Sequence, residues 1–245
     1  MVDPGIAGPG ELPGDLESLS EVVGKAAGAP MGADAGAIRG VISDFGGVLT
    51  NRLIEAFAAF QDETGISMEQ LGRGMQRVSE RDGEYPLFRL ERGEVSERQF
   101  LEDLSWGLEE ELGHRPTLHG FSDIYFRALH PNRPMLELMR ELRERGYRMT
   151  ILTNNVREWE PLWRSKLPVD EIFELIVDSA WVGMRKPDRA IYTITLERLG
   201  LAPEASLFVD DNELNVEAAR ELGMHAVHFR SNEQAIPEIR KVLGF

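Results

Sequence analysis

Four places in the 245-residue chain carry groups that could together move a phosphoryl group. Asp44 closes a short apolar run and is followed by Gly46 and Gly47, which leave room for an anion beside its carboxylate. Such an acid is suited to act as nucleophile or metal ligand. Thr153 and Asn154 end a second apolar run, Lys186 stands in Gly183-Met184-Arg185-Lys186-Pro187, and Asp210-Asp211 ends a third run. Asp44 and Asp211, with Asp210 beside it, offer oxygen ligands of the kind Mg²⁺ takes, alongside water and substrate oxygens. The ion would offset the repulsion between an anionic nucleophile and an anionic substrate. The Thr153 hydroxyl and the amides after it could donate to phosphoryl oxygens, while Lys186 could neutralise both the nucleophile and the transferring group. Each group also has an ordinary alternative. Asp44 could end a strand in a turn, Thr153 could cap a strand, Lys186 could be a solvated lysine, and Asp210-Asp211 could cap a helix.

These groups converge only if particular elements carry them. A strand over Arg39 to Asp44 leads into a long helical stretch, with Leu53, Phe57 and Phe60 on a helical repeat and further helices over Met68–Val78, from Ser96 through Leu112, and over Phe121–Leu129. Ser96 to Gln99 reads as a capping box. The pattern then becomes regular, with strands at 148–153, 173–177, 206–210 and 225–229. Helices are expected at 134–145, 156–166, 188–199, 213–222 and 233–243, the first entered at Pro134 and left at Gly146. Alternating strands and helices predict a doubly wound α/β fold with a parallel sheet, whose ligands sit beyond the carboxyl ends of the strands. The expected organisation is a Gly/Pro/Ala-rich flexible tail at 1–37, a core at 38–50 and 131–245, and a helical cap at 51–130. Within the tail, Leu16 to Val23 has the spacing of a short amphipathic helix that could contact a partner or a neighbouring subunit.

Composition narrows the classes. A net charge of −15 argues against nucleic acid and anionic membranes as partners, yet a local cation can still draw in a small phosphorylated metabolite. There are no cysteines, so thiolate catalysis and disulfides are excluded. No apolar run reaches the roughly 20 residues needed to span a bilayer, and a cytoplasmic location is expected. The five histidines show no helical ligand pair, the four tryptophans read as core or interface, and Arg127 and Arg133 could reach an anionic substrate from the end of the cap.

The order Asp44, Thr153, Lys186, Asp210-Asp211, with an insertion after the first, resembles the haloacid dehalogenase-like superfamily over residues 39 to 245. Asp44-Phe45-Gly46-Gly47-Val48, Glu91 to Ser96, Gly183 to Pro187 and Val209 to Asn212 are most similar to its sugar-phosphate phosphatases, of the glucose-1-phosphate type with a helical cap. The resemblance implies a Rossmann-like core and a magnesium-dependent phosphatase. In it Asp44 is the nucleophile and Thr153, Asn154, Gly47 and Lys186 meet the phosphate. Asp44, Asp211, Asp210 and the Gly46 carbonyl hold the metal. One departure stands out: phosphatases of this pattern usually carry an aspartate where this chain has Gly46, and that aspartate moves the proton. The similar sugar-phosphatases also carry a glycine here, which implies that water, the substrate or a cap residue serves instead, and Glu84, Glu91 and Arg92 are the candidates in the cap. A catalytically weak binding module and a metal-independent 2-haloacid dehalogenase are the alternatives.

Overall fold

The structure is a computed structural model that describes residues 37–245 apart from His119; the tail and its expected helix at Leu16–Val23 lie outside the described residues. Five short apolar runs pair as one parallel sheet: β1 (Gly40–Ser43), β2 (Arg148–Thr153), β3 (Leu175–Asp178), β4 (Ser206–Asp210) and β5 (His225–His228), in the order β3-β2-β1-β4-β5. The chain thus builds outward from β1 on one side and then crosses to β4 on the other, placing β1 at the reversal of strand order where such sheets bind ligands. Ser43 pairs with Ile151 and with Val209, and the Asp44 amide donates to the Val209 carbonyl at 2.8 Å. That register brings Asp44, Thr153 and Asp210 to one edge.

Both faces of the sheet are covered, as its apolar strands require. Alternate residues point opposite ways, so Val41, Ile151 and Val209 enter one buried cluster while Ile42, Leu152 and Phe208 enter the other. Helices α6 (Arg133–Glu144) and α12 (Asn232–Leu243) supply Met139, Leu142 and Ile239 to the first cluster; α10 (Arg189–Leu199) and α11 (Glu213–Glu221) supply Ile191 and Ala219 to the second.

Between β1 and α6 lie the five helices of the cap: α1 (Leu53–Thr64), α2 (Met68–Asp82), α3 (Pro86–Glu91), α4 (Glu97–Leu112) and α5 (Phe121–Ala128). Phe60, Leu104 and Phe121 continue the first cluster into the cap, and the described residues form one compact unit. The chain enters and leaves the cap side by side. Thr50 bridges Pro131, Asn51 N–H donates to the His130 carbonyl at 2.9 Å, and Asn132 N–H donates to the Leu49 carbonyl at 2.8 Å.

Some elements differ from the sequence reading. The helix expected at 156–166 is a 3₁₀ turn at Arg157–Trp159 followed by α7 (Glu160–Arg164), restarted at Pro161, where the missing N–H costs nothing in a first turn. The third strand begins two residues later than expected, because Phe173 closes α8 (Val169–Ile172). At Ser96 the box is half made: its hydroxyl accepts from Gln99 N–H, but the Gln99 side chain turns to Asp103. A complete box stands instead at Ser67 and Gln70, opening α2.

Candidate active site

Asp44 is 8% exposed at the end of β1, with its Oδ1 accepting from Lys186 Nζ at 2.7 Å. Lys186 is 1% exposed, which removes the solvated-lysine reading. Its ammonium also donates to Asp210 Oδ2 at 2.7 Å and to the Leu152 carbonyl at 2.9 Å, so its three protons are all engaged. Burial alone would push this ammonium down, but Asp210 and Asp44 outweigh it and hold it above the usual lysine range. Asp44 moves up to about 8, chiefly through burial and then through Asp210 and Asp211, against the pull of Lys186.

From the sequence, Lys186 was expected to serve both the nucleophile and the phosphate; in the structure it serves the carboxylates. Asn154 is partly committed. Its Oδ1 accepts from Lys186 N–H at 2.8 Å and its Nδ2 donates one proton to the Lys186 carbonyl at 2.9 Å, so its side chain fixes the Lys186 loop and keeps a second N–H. Gly47 N–H donates to Thr50 Oγ1 at 3.0 Å and is taken. Thr153 remains available: it is 2% exposed and its hydroxyl makes only a 3.5 Å contact with the Asn154 carbonyl.

A metal fits the acidic edge. Oxygens of Asp44, Asp210 and Asp211 lie within 4.8 Å of one another. Three carboxyl groups crowd one ammonium, which raises Asp44 and Asp211, and a divalent cation would favour their ionised forms. Asp210 is the least free of the three, since Asn212 N–H, Asn215 Nδ2 and Lys186 already donate to its two oxygens. Asp44 Oδ2 and the Asp211 carboxylate are therefore the natural ligands, with Asp210 aligning Lys186. Gly47 makes room for this arrangement. Its φ is +79°, and a Cβ there would fall on the Asp211 carboxylate, so only glycine satisfies both backbone and space. At Gly46 an added Cβ would stand 3.0 Å from a Leu53 methyl, and so Leu53 occupies the region an acid at 46 would enter.

The cap completes the site through α3. Glu91 Oε2 accepts from Arg185 Nε at 2.6 Å, and the Arg185 guanidinium stacks 3.9 Å from the Phe88 ring centre. Burial holds Glu91 above the usual carboxylate range despite the opposing pull of Arg185. Just beyond, Gly93 at φ +66° packs so closely on the Ala180 carbonyl and Arg157 that no side chain would fit. The other proton-carrier candidates lie elsewhere: Arg92 pairs with Glu84 at 2.9 Å and with Glu94 at 2.7 Å, facing outward. Arg127 pairs with Glu63 at 3.5 Å on the exposed surface. The sequence reading missed Arg185, Asn215 and Tyr125, a buried phenol on α5 whose acidity is lowered by burial and by Asp44, Asp211 and Glu91. Trp159 packs against the core as expected, on Phe121, Tyr125 and Phe126, and its ring also forms part of a cavity wall beside Thr153 and Asn154.

Comparison with known proteins bears on this geometry. The profile of the haloacid dehalogenase-like hydrolase family matches residues 102–229, taking in Thr153, Lys186 and Asp210-Asp211. Mouse acyl-CoA dehydrogenase family member 10 is 28% identical over 84% of this chain, which spans 19% of that protein's length. The chain spans 39% or less of the mammalian bifunctional epoxide hydrolases it also matches. The glyceraldehyde 3-phosphate phosphatase of Methanopyrus kandleri is 29% identical, over 69% of each chain. A family enzyme from Bacteroides thetaiotaomicron, solved in complex with magnesium and inorganic phosphate, shares the fold with a TM-score of 0.59 at 24% identity, covering 79% of this chain and 95% of that one.

Proposed function

This chain belongs to the haloacid dehalogenase-like hydrolase family, and on that premise we propose that it is a magnesium-dependent phosphomonoesterase acting on a small phosphorylated metabolite in the cytoplasm. The observation that carries the reading is the buried Asp44–Lys186–Asp210 chain at the reversal of strand order, with Asp211 beside it. Magnesium, held by Asp44 and Asp211 with the Gly46 carbonyl as a further oxygen, would neutralise the phosphoryl oxygens. Asp44 attacks phosphorus through the carboxylate oxygen that the metal would not hold, the bond from phosphorus to the ester oxygen breaks, and an aspartyl-phosphate forms. Water then attacks that phosphorus, the bond to Asp44 breaks, and inorganic phosphate leaves. Lys186 fixes Asp44 and opposes the effect of burial on its acidity, and Thr153 can donate to a phosphoryl oxygen. The phosphatase activity of the Methanopyrus relative supports the same assignment.

Phosphate release from a panel of monoesters should require magnesium and disappear on chelation, returning when the ion is restored. Undiminished hydrolysis under chelation would overturn the metal assignment. Dehalogenation by the same nucleophile needs no metal, and the clustering of three carboxyl groups round one ammonium favours the phosphatase. A binding module would show ligand uptake with little turnover in this panel.

Gly46 cannot carry a proton. Of Glu84, Glu91 and Arg92, Glu91 alone reaches the cavity beside it; we assign it to protonate the leaving oxygen. Glu91→Gln is expected to lower kcat by about 10²-fold or more on esters with poor leaving groups. Such an acid works only while protonated, so wild-type activity should fall as pH rises through the raised Glu91 pKa. The variant should lack that alkaline limb. Unchanged kcat and an unchanged pH profile would show that water or the substrate supplies the proton.

A further inference from the structure

The cavity beside Gly46, Thr153 and Asn154 has a volume of about 190 Å³. Its remaining wall is almost wholly apolar, with Leu53, Phe57, Met75, Leu104, Phe121 and Trp159 among the residues that close it from the cap and the core. Glu91 is its only carboxylate among the described residues. Its other polar groups are the Tyr125 phenol on α5, the Trp159 indole, and Thr153, Asn154 and Asn155 at the end of β2. Of these, Asn154 gives one N–H to the Lys186 carbonyl and accepts from Lys186 N–H, and Asn155 Oδ1 accepts from Val156 N–H at 2.9 Å.

Resting on the phosphatase reading above, we propose that this cavity takes the alcohol part of the substrate and that this part is apolar: the substrate is an alkyl or aryl phosphate monoester, not a sugar phosphate. Three observations converge on this class. The cavity adjoins Gly46, on the side of Asp44 where the family's pattern would place a group acting on the leaving oxygen, so what leaves the phosphorus would lie in it. A sugar there would bury several hydroxyls against leucine, phenylalanine and methionine, and each one left without a partner would weaken binding by about tenfold or more. The volume also sets a size. A dry cavity of about 150 Å³ accepts a benzene ring, so this one suits a monocyclic aryl group or a chain of roughly six to ten carbons. The cap shapes the fit, since α1, α2, α4 and α5 contribute Phe57, Met75, Leu104 and Phe121.

The test is the dependence of kcat/KM on chain length for ethyl, butyl, hexyl and octyl phosphate with magnesium, beside glucose 1-phosphate and phenyl phosphate. The expected result is a rise of about fourfold per methylene until the cavity is filled. Phenyl phosphate should exceed glucose 1-phosphate by about 100-fold, and Met75→Gln should flatten the slope. A flat series, or preference for the sugar, overturns the proposal while leaving the phosphatase intact. If no ester turns over, the phosphatase reading fails, and calorimetric titration of the same alkyl phosphates into the magnesium-loaded wild-type protein decides the cavity separately. Affinity that tightens with chain length supports the apolar site, and affinity independent of length overturns it.

Discussion

Asp44→Asn is expected to abolish phosphate ester turnover, by about 10⁴-fold or more, without loss of fold. The amide has the shape of the carboxylate and its oxygen can still accept from Lys186, but it cannot attack phosphorus. Stability should move the other way in the metal-free protein. Asp44 is raised to about 8 in the folded chain, mainly by burial. A carboxyl raised on folding contributes its stability below the unfolded value near 4, and that contribution is lost as pH rises from there through about 8. Asn carries no such loss, so at neutral pH without magnesium the variant should melt above the wild type. At pH 4 the gap should shrink. Thermal melts at the two pH values check it, and a variant less stable than wild type at neutral pH would contradict the buried-charge reading of Asp44.

The second large effect is on Lys186. Its ammonium is the only cation within hydrogen-bond reach of Asp44 and Asp210 among the described residues, and it is buried with them. Lys186→Met keeps the stem but leaves two carboxylates unpaired, and removing one partner of a buried ion pair costs about 3–5 kcal/mol. Denaturant unfolding should show that loss at neutral pH in the absence of metal, together with near-complete loss of activity. The cost should fall when the opposing charges are removed as well, in Lys186→Met with Asp44→Asn and Asp210→Asn. A loss below about 1 kcal/mol in the single variant would mean that solvent reaches the ammonium and that its role is not electrostatic. The same geometry explains why Asn154 and Asn215 matter without touching phosphorus: one clamps the Lys186 loop, the other holds Asp210.

The strand ends were legible because their signals are local. Apolar runs of four to six residues stop at Asp44, Thr153 and Asp210, and alternation with helices forces a parallel sheet that gathers those ends. Short helices were not legible: α3, α8 and α9 (Ser179–Val182) run four to six residues, too few for a helical repeat to show. Roles set by distant partners were hidden as well. Nothing near Asn154 reveals that its amide engages a residue 32 positions away, and nothing at Gly47 reveals the Asp211 carboxylate lying where its side chain would be. Glu91 and Arg92 are neighbours with similar reach, yet the last turn of α3 sends one to the cavity and the other to Glu84 and Glu94. The apolar cavity depends on four cap helices meeting over the sheet edge, and helical periodicity marks buried faces without showing what gap they leave between them.

Covalent capture of the intermediate tests the nucleophile directly. Wild-type protein mixed with magnesium and a fast aryl phosphate, quenched in acid within the first turnovers and digested, should yield the peptide containing Asp44 carrying a phosphoryl group that hydroxylamine removes. Asp44→Asn should yield none and should not turn over. An unphosphorylated Asp44 peptide from an actively hydrolysing enzyme, with Asp44→Asn as fast as wild type, would contradict the assignment of Asp44 as nucleophile.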